Sequence, residues 1–332
     1  MNVTSRLRLL LVGAGAMGSH HGRVIAESRR CELVAVVDPD EDRGRGLARR
    51  YGAVWAPEVE SFSRIDAVVV ASSTDQHRQI SLDALSEGIP LFVEKPLCAD
   101  LGDSRRIVDV ALRGGIPLMC GFIERFNPAV IEAVAHVEAP DAVYAQRIST
   151  YSPRMHAGVS WDLLVHDVDI ALRVFGEEIP KIQYAATTCL AGEGRIGEET
   201  VAVELEFSDA RAASLSASRI ASRKARRLAI TERDRTVIAD LLTPSVTVYA
   251  GSISRPFLFE HDLGSGPEVL SRTECSDYRE PLAAQLDGFL DIVQGERDMH
   301  AETCSILPSH ETVAAILDSA EESADFDTAY VK

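Results

Sequence analysis

Cysteine pairs, long apolar runs and positive charge are all scarce in this chain. Its six cysteines (Cys31, Cys98, Cys120, Cys189, Cys275 and Cys304) include no two at Cys-x-x-Cys spacing. That argues against a zinc ribbon or a thioredoxin-type redox motif. Reduced thiols, some of them inside apolar runs, fit a cytoplasmic protein, and no metal site is expected. No apolar run approaches the ~18 residues of a membrane-spanning helix. Arg6 and Arg8 before Leu9-Leu10-Leu11 faintly imitate a secretion signal. The apolar part is short and runs into a glycine turn, so it reads as a strand. Lysine and arginine number 34 against 51 aspartates and glutamates, a formal net charge of −17. Such a field repels a nucleic-acid backbone, so neither a nucleic-acid nor a membrane partner is expected.

What is present begins at Leu9-Leu10-Leu11-Val12-Gly13-Ala14-Gly15-Ala16-Met17-Gly18. An apolar run that feeds into Gly-x-Gly-x-x-Gly reads as the turn from a first buried strand into a first helix. Gly13 permits a sharp turn, Gly15 lets backbone approach a pyrophosphate, and Gly18 lets helix and strand pack closely. Ala16 and Met17 open the helix whose free N–H groups would face the anion. A length of 332 residues suggests two domains, and 46% hydrophobic residues can fill their cores without a disulfide or a metal.

Strand and helix patterns then alternate. Apolar runs at 33–37, 66–71, 91–93 and 116–121 read as buried parallel strands. Helical stretches at 18–28, 75–87 and 100–113 lie between them, and another runs to about 51 that Gly44 and Gly46 weaken. This is the doubly wound α/β pattern. After about 122 the alternation changes. Asn127-Pro128 reads as a helix cap with proline at the first helical position. A strand is expected at 142–150 and a strongly apolar helix at 160–175, followed by several strands between 181 and 260. Helices at 281–294 and 309–322 close the chain before a loosely held tail from 325. The expectation is therefore an N-terminal Rossmann dinucleotide-binding domain over 1–122. A C-terminal α+β domain follows over 123–332, with an open-faced, mainly antiparallel sheet for substrate binding and oligomerisation. A C-terminal helix is expected to pack back on the first domain. An exposed sheet face predicts a homodimer or homotetramer.

Three sets of residues can carry chemistry. Asp38 ends the second strand 20 residues after Gly18, where an acid accepts hydrogen bonds from a ribose and repels a 2′-phosphate. Pro39 follows it, not a cation that would clamp that phosphate, so NAD is favoured over NADP. Glu94-Lys95-Pro96 follows a short strand, at the edge where open parallel sheets bind ligands. Lys95 there can hydrogen-bond a substrate hydroxyl. Asp162, His166 and Asp169 are spaced i, i+4, i+7 on a helix otherwise rich in Leu, Val, Ile and Ala. A polar stripe on so apolar a helix needs partners. Asp162 and His166 can form an acid–base pair. No His-x-x-x-His or cysteine set accompanies them, so a metal is not indicated.

The ordered set Gly-x-Gly-x-x-Gly, Glu-Lys-Pro and Asp-x-x-x-His resembles the glucose-fructose oxidoreductase / inositol dehydrogenase / rhizopine-catabolism (Gfo/Idh/MocA) family along nearly the whole chain. His21, three residues after Gly18, agrees, as does Ser72-Ser73-Thr74-Asp75-Gln76-His77. The resemblance implies NAD(P)-dependent oxidation or reduction of a sugar or cyclitol hydroxyl, with Lys95, Asp162 and His166 as catalytic trio. It implies that Gly13, Gly15, Ala16, Met17, Gly18 and Asp38 hold the adenosine half of the cofactor. Ser72, Thr74, His77, Glu94 and Lys95 would line the path to the nicotinamide, and the Lys95-Pro96 peptide would be cis. Residues 121–130 most resemble the nucleotide-sugar 3-dehydrogenase branch. Arg125 and Arg154 would then meet a diphosphate or another anion, with Trp161 and Asp169 also on the substrate side. Arg147 is a weaker candidate and reads more as a surface charge. Ala157-Gly158-Val159-Ser160 and Trp161 depart from the family pattern, which leaves the substrate open. An inositol or aminoglycoside-type sugar is the alternative, and a non-catalytic dinucleotide-binding sensor is the alternative of another class.

Overall fold

The computed structural model describes residues 6–151, 157–176, 179–189, 197–251, 268–275 and 278–329, with side chains to residue 323. The chain forms two units, residues 1–123 with 279–307, and residues 124–278 with 308–332.

In the first unit the glycine-motif strand is β1 (Leu7–Val12), and α1 (Ala16–Glu27) follows the turn. Next come β2 (Cys31–Val37), α2 (Glu41–Tyr51), β3 (Val54–Ala56), β4 (Ala67–Val70), α3 (Thr74–Ser86), β5 (Leu91–Val93), α4 (Leu101–Gly114) and β6 (Leu118–Cys120). The six strands are all parallel, in the order β3-β2-β1-β4-β5-β6. That order reverses between β1 and β4, the crevice in which open sheets of this kind take ligands. Every residue of β4 and β5 is buried, as expected of strands covered on both faces. α2 forms despite its glycines. Asp40 caps it by accepting from the Arg43 N–H, and Gly52 ends it at φ 73°. Gly44 is required inside it, because a Cβ there would overlap the indole of Trp55. The strand β3 lay outside the sequence expectation, since three residues beginning with an exposed valine carry no periodicity.

A 3₁₀ turn (Ile123–Phe126) leads into the second unit and its α5 (Pro128–Ala135), which Asn127 caps through the Ala129 N–H. Its sheet has eight strands, β7 (Ala142–Ile148), β8 (Lys181–Thr188), β9 (Thr200–Glu206), β10 (Ala212–Ser218), β11 (Ala225–Thr231), β12 (Arg235–Asp240), β13 (Ser245–Ala250) and β14 (Val269–Glu274). The order is β14-β13-β12-β11-β7-β10-β9-β8, and only the β7–β10 pair is parallel. Alternation separates its faces. Val201, Val203, Leu205, Ala213, Leu215 and Ala217 are buried, while Gln146, Thr200, Ala202, Ser216 and Ser218 line the open side.

The apolar helix expected over 160–175 starts as a π-helical turn, Ser160–Leu164, before α6 (Val165–Val174) continues it. Asp162 therefore lies one wide turn before the α-helical ladder, which alters the simple i, i+4, i+7 stripe. α7 (Pro281–Val293) and α8 (Met299–Cys304) cluster with the first unit, and α9 (Leu307–Ala329) with the second. No helix of the described residues is long and apolar enough to cross a membrane.

Candidate active site

The three motif glycines of the first unit answer different demands. Gly13 lies at φ +98°, and a Cβ there would sit 2.5 Å from the Ala71 carbonyl oxygen. A Cβ on Gly18 would overlap the carbonyl oxygen of Gly13. Both are required by the protein's own packing. Gly15, the N-cap of α1, meets nothing within 4 Å, and no side chain caps the helix. The first-turn N–H groups, with Ala16 and Met17 exposed beside them, are therefore left for an anion. This bare cradle fits a pyrophosphate.

Asp38 closes the other end. Its carboxylate accepts from the Ala14 N–H at 2.7 Å and the Asp40 N–H at 2.8 Å, which ties the end of β2 to the glycine turn. Pro39 is no cation, but Arg43, one turn into α2, lies 3.5 Å from Asp38. Trp55 donates its indole N–H to the Asp38 carbonyl at 3.1 Å. Sequence reasoning missed both neighbours. Arg43 is five residues on from Asp38, and Trp55 arrives from the next strand.

At the far side of the crevice, β5 delivers Glu94 and Lys95, and the Lys95–Pro96 peptide is cis, as the resemblance implies. Glu94 is buried and sits 2.7 Å from the Nε2 of His21 on α1. The His21 ring also packs edge-on against Phe92. Gly121 is needed here, since a Cβ would crowd the Glu94 carboxylate at 2.7 Å. His77 is buried too, its Nδ1 3.0 Å from the Pro96 carbonyl and its Nε2 3.3 Å from the Ser72 carbonyl. Burial pushes its imidazole below the ordinary range, against the pull of the Pro96 and Ser72 carbonyls. Both residues, expected along the cofactor path, tie neighbouring segments of this unit together, Glu94 to α1 and His77 to the Ser72 and Pro96 carbonyls. Ser72, Thr74 and Lys95 are the half-buried residues of that edge.

In the second unit, a carboxylate holds the segment before the π turn. Glu198 accepts from the Ser160 N–H at 2.7 Å, and Gly158 must be glycine because a Cβ would overlap that carboxylate. Arg219, paired with Glu199 at 2.7 Å, donates to the Ala157 carbonyl at 2.6 Å. Asp162 is half-buried, and His166 is 8% exposed. Trp161 stands 5.8 Å from the ring of His310.

Two arginines take partners that the sequence did not signal. Arg125 faces the carboxylate of Asp169. Its Nε and Nη2 donate to the two carboxylate oxygens at 2.9 and 2.6 Å, and both side chains are almost wholly buried. Arg147 is neither a ligand nor a surface charge. It is 1% exposed and donates to Asp167 at 3.0 and 2.7 Å and to Glu124 at 2.7 Å. The available signal was register: Arg147 shares the inward face of β7 with Val143 and Ala145. A buried guanidinium demands carboxylate partners. Burial works against Arg147's charge, but Asp167 and Glu124 overcome it and hold its pKa above the usual arginine value. Arg154 lies outside the described residues.

Fold and site define a dinucleotide-dependent oxidoreductase. Residues 7–122 match the pattern described as the oxidoreductase family with an NAD-binding Rossmann fold, and residues 128–238 match the GFO/IDH/MocA C-terminal domain. The chain belongs to this Gfo/Idh/MocA family, and its first unit is an NAD-binding domain. It is 24% identical over 302 residues to UDP-N-acetylglucosamine 3-dehydrogenase of Acidithiobacillus ferrooxidans, covering 89% of this chain and 91% of that protein. It is 32% identical over 216 residues to inositol 2-dehydrogenase 4 of Saccharopolyspora erythraea, covering 60% of this chain and 63% of that protein. Among solved structures, GenD2 from gentamicin A biosynthesis in complex with NAD has a TM-score of 0.79 at 23% identity, covering 97% of this chain and 96% of that one.

Proposed function

We propose that the chain is an NAD-dependent dehydrogenase that oxidises a secondary hydroxyl, the one on C3, of a sugar or nucleotide sugar to a keto sugar. The observation that carries this reading is the likeness to UDP-N-acetylglucosamine 3-dehydrogenase, which runs through both units over 302 residues. The bare cradle at Gly15 and the delivery of Lys95 at the ligand edge of the parallel sheet support it. Bound NAD supplies the hydride acceptor. His166 takes the hydroxyl proton as the carbinol carbon loses its hydride. Lys95 hydrogen-bonds the same oxygen, and Asp162 orients His166 or Lys95. Trp161 lies on the substrate side. The enzyme works in the cytoplasm as a homodimer or homotetramer, in which a second copy covers the exposed face of the second sheet.

One observation favours a second reading, a free cyclitol or aminoglycoside-type sugar. Arg125, one of the two arginines expected to meet a diphosphate, and Arg147, the weaker candidate, are turned inward onto carboxylates. The test is NADH absorbance with a panel of UDP- and dTDP-sugars, free inositols and aminoglycoside precursors. Turnover of UDP-N-acetylhexosamines supports the first reading, and turnover of inositols alone the second. No NADH with any of them would leave a dinucleotide-binding sensor.

A further inference from the structure

Five buried charged side chains surround α6 and have no part in the proton transfer assigned to His166. Arg147 grips Asp167 through Nε and Nη2, and its Nη1 donates to Glu124 at 2.7 Å. Arg125 grips Asp169 through Nε and Nη2, and Ser309 Oγ donates to the same aspartate at 2.9 Å. Glu124 and Arg125 are neighbours in one 3₁₀ turn, Ile123–Phe126. That short segment therefore holds α6 twice, directly through Arg125 and indirectly through Glu124 and Arg147. Glu124 is itself fixed, since Asn127 donates to it at 2.8 Å and Arg226 at 3.1 Å.

The two grips fall on either side of His166. At about 100° per residue, Asp167 lies about 100° one way around the helix and Asp169 about 60° the other. Upstream, the π turn Ser160–Leu164 interrupts the regular i→i−4 ladder that would otherwise set the helix's rotation. Ion pairs this deep are a poor source of stability, because desolvation roughly offsets their attraction, and packed apolar residues would serve as well. What a two-pronged guanidinium–carboxylate contact adds is angle, since it tolerates only a narrow range of orientations. A rotation of about 20° would move an imidazole ~6 Å from the axis by ~2 Å, and a ~1 Å misplacement at a reacting atom is enough to cost ~100-fold in rate.

We propose that Arg125–Asp169 and Arg147–Asp167 are positioning pairs that set the rotation of α6 and so aim the imidazole of His166. The proposal rests on the proton-transfer role given to His166 above. It assigns Arg125 and Asp169 to the helix's orientation and not to contact with substrate.

The test uses the full chain. Arg125→Lys keeps the charge and loses the two-pronged contact. The double variant Arg125→Met/Asp169→Leu replaces the pair with apolar groups of similar bulk, so folding survives even if either single change is disruptive. Ring ¹⁵N spectra of histidine-labelled protein, with the His166 signals assigned from His166→Asn, need no substrate. They should show the His166 resonances shifted or broadened in both variants while those of His21 and His77 stay in place. With the best substrate of the panel, kcat should fall about 30-fold in the double variant and about 10-fold in Arg125→Lys. The KM for NAD and the denaturation midpoint of the double variant should stay near wild type. A folded double variant with unmoved His166 resonances and full kcat overturns the proposal, because a merely structural pair is rescued by apolar packing. His166→Ala separates the two ideas. Loss of turnover there with full turnover in both pair variants overturns the positioning role alone, whereas normal turnover in His166→Ala overturns the functional reading and this proposal with it.

Discussion

Gly15→Ala should leave the NAD-free protein folded while weakening its hold on NAD. A Cβ at this position meets no protein atom within 4 Å, and the residue lies at φ −68°, ψ −160°, a conformation open to alanine. Reduced freedom in the unfolded chain favours the alanine by about 0.4–1 kcal/mol. Loss of a glycine N-cap costs a similar amount, so stability without cofactor should change by less than about 1 kcal/mol. Gly18→Ala is the contrast, since its Cβ would overlap the Gly13 carbonyl oxygen and the strand–helix packing must open. That substitution should lower stability by several kcal/mol, about the range of severe overpacking. In the cradle the added methyl takes the space of the pyrophosphate, and a tenfold loss of affinity corresponds to about 1.4 kcal/mol. At NAD one hundred times the wild-type Kd, the stabilisation on binding is about 2.7 kcal/mol. The variant at that same concentration should gain about 1.4 kcal/mol. Denaturant melts with and without NAD measure both quantities. If the variant keeps the full NAD-induced stabilisation, no pyrophosphate packs at Gly15. If it loses several kcal/mol without NAD, the glycine serves the fold, and the reasoning fails at its first step.

Other measurements probe the rest of the site. Lys95→Ala and His166→Ala should each reduce turnover by about 10²-fold or more while leaving NAD affinity within about twofold, read by steady-state rates and NADH fluorescence titration. A native thiol assay should label Cys189 and Cys304, which are exposed, and spare the four buried cysteines until denaturant is added. Cys98 should be the slowest, because burial, with the Asp103 charge beside it, pushes its thiol up to about 12. His77 carries a sign for pH. Its imidazole is held below the ordinary value in the fold, so the unfolded chain takes up the proton first. Its contribution is present above about pH 6.5 and is lost as pH falls toward the depressed folded value. The stability advantage of the wild type over His77→Asn should therefore shrink between about pH 7 and pH 5. An advantage that is flat or grows toward acid pH would refute the assignment.

The first unit was legible because its strands are buried on both faces. Continuous apolar runs such as Ala67–Val70 are too short for a buried helix and fit a covered strand, and their C-terminal ends lead into Gly13, Asp38 and Lys95. The cap at Asn127 was legible for a local reason as well, since an Asx side chain followed by proline satisfies a helix start from three residues. β3 and α8 were not, because three and six residues hold too little pattern to compete with loop. The π turn was hidden for a different reason. Ser160–Leu164 has helical composition, and the wider turn is set by where Glu198 and the buried faces of Leu163 and Leu164 hold the backbone.

The sequence by itself determined the cofactor class, the alternation that builds the Rossmann sheet, and which residues are candidates for the chemistry. Those properties follow from short-range order: glycine spacing, an acid at a strand end, a lysine before a proline. Only the tertiary structure decided how the charged residues are used. Arg125, Arg147 and Asp169 read in the sequence as candidates for solvent or substrate, and Asp167 carries no signal there at all. Their fate depends on which guanidinium meets which carboxylate across 20 to 44 residues of chain. Burial without such partners is prohibitive, so the pairing is a property of the packed sheet, helix and turn together, and no local pattern encodes it.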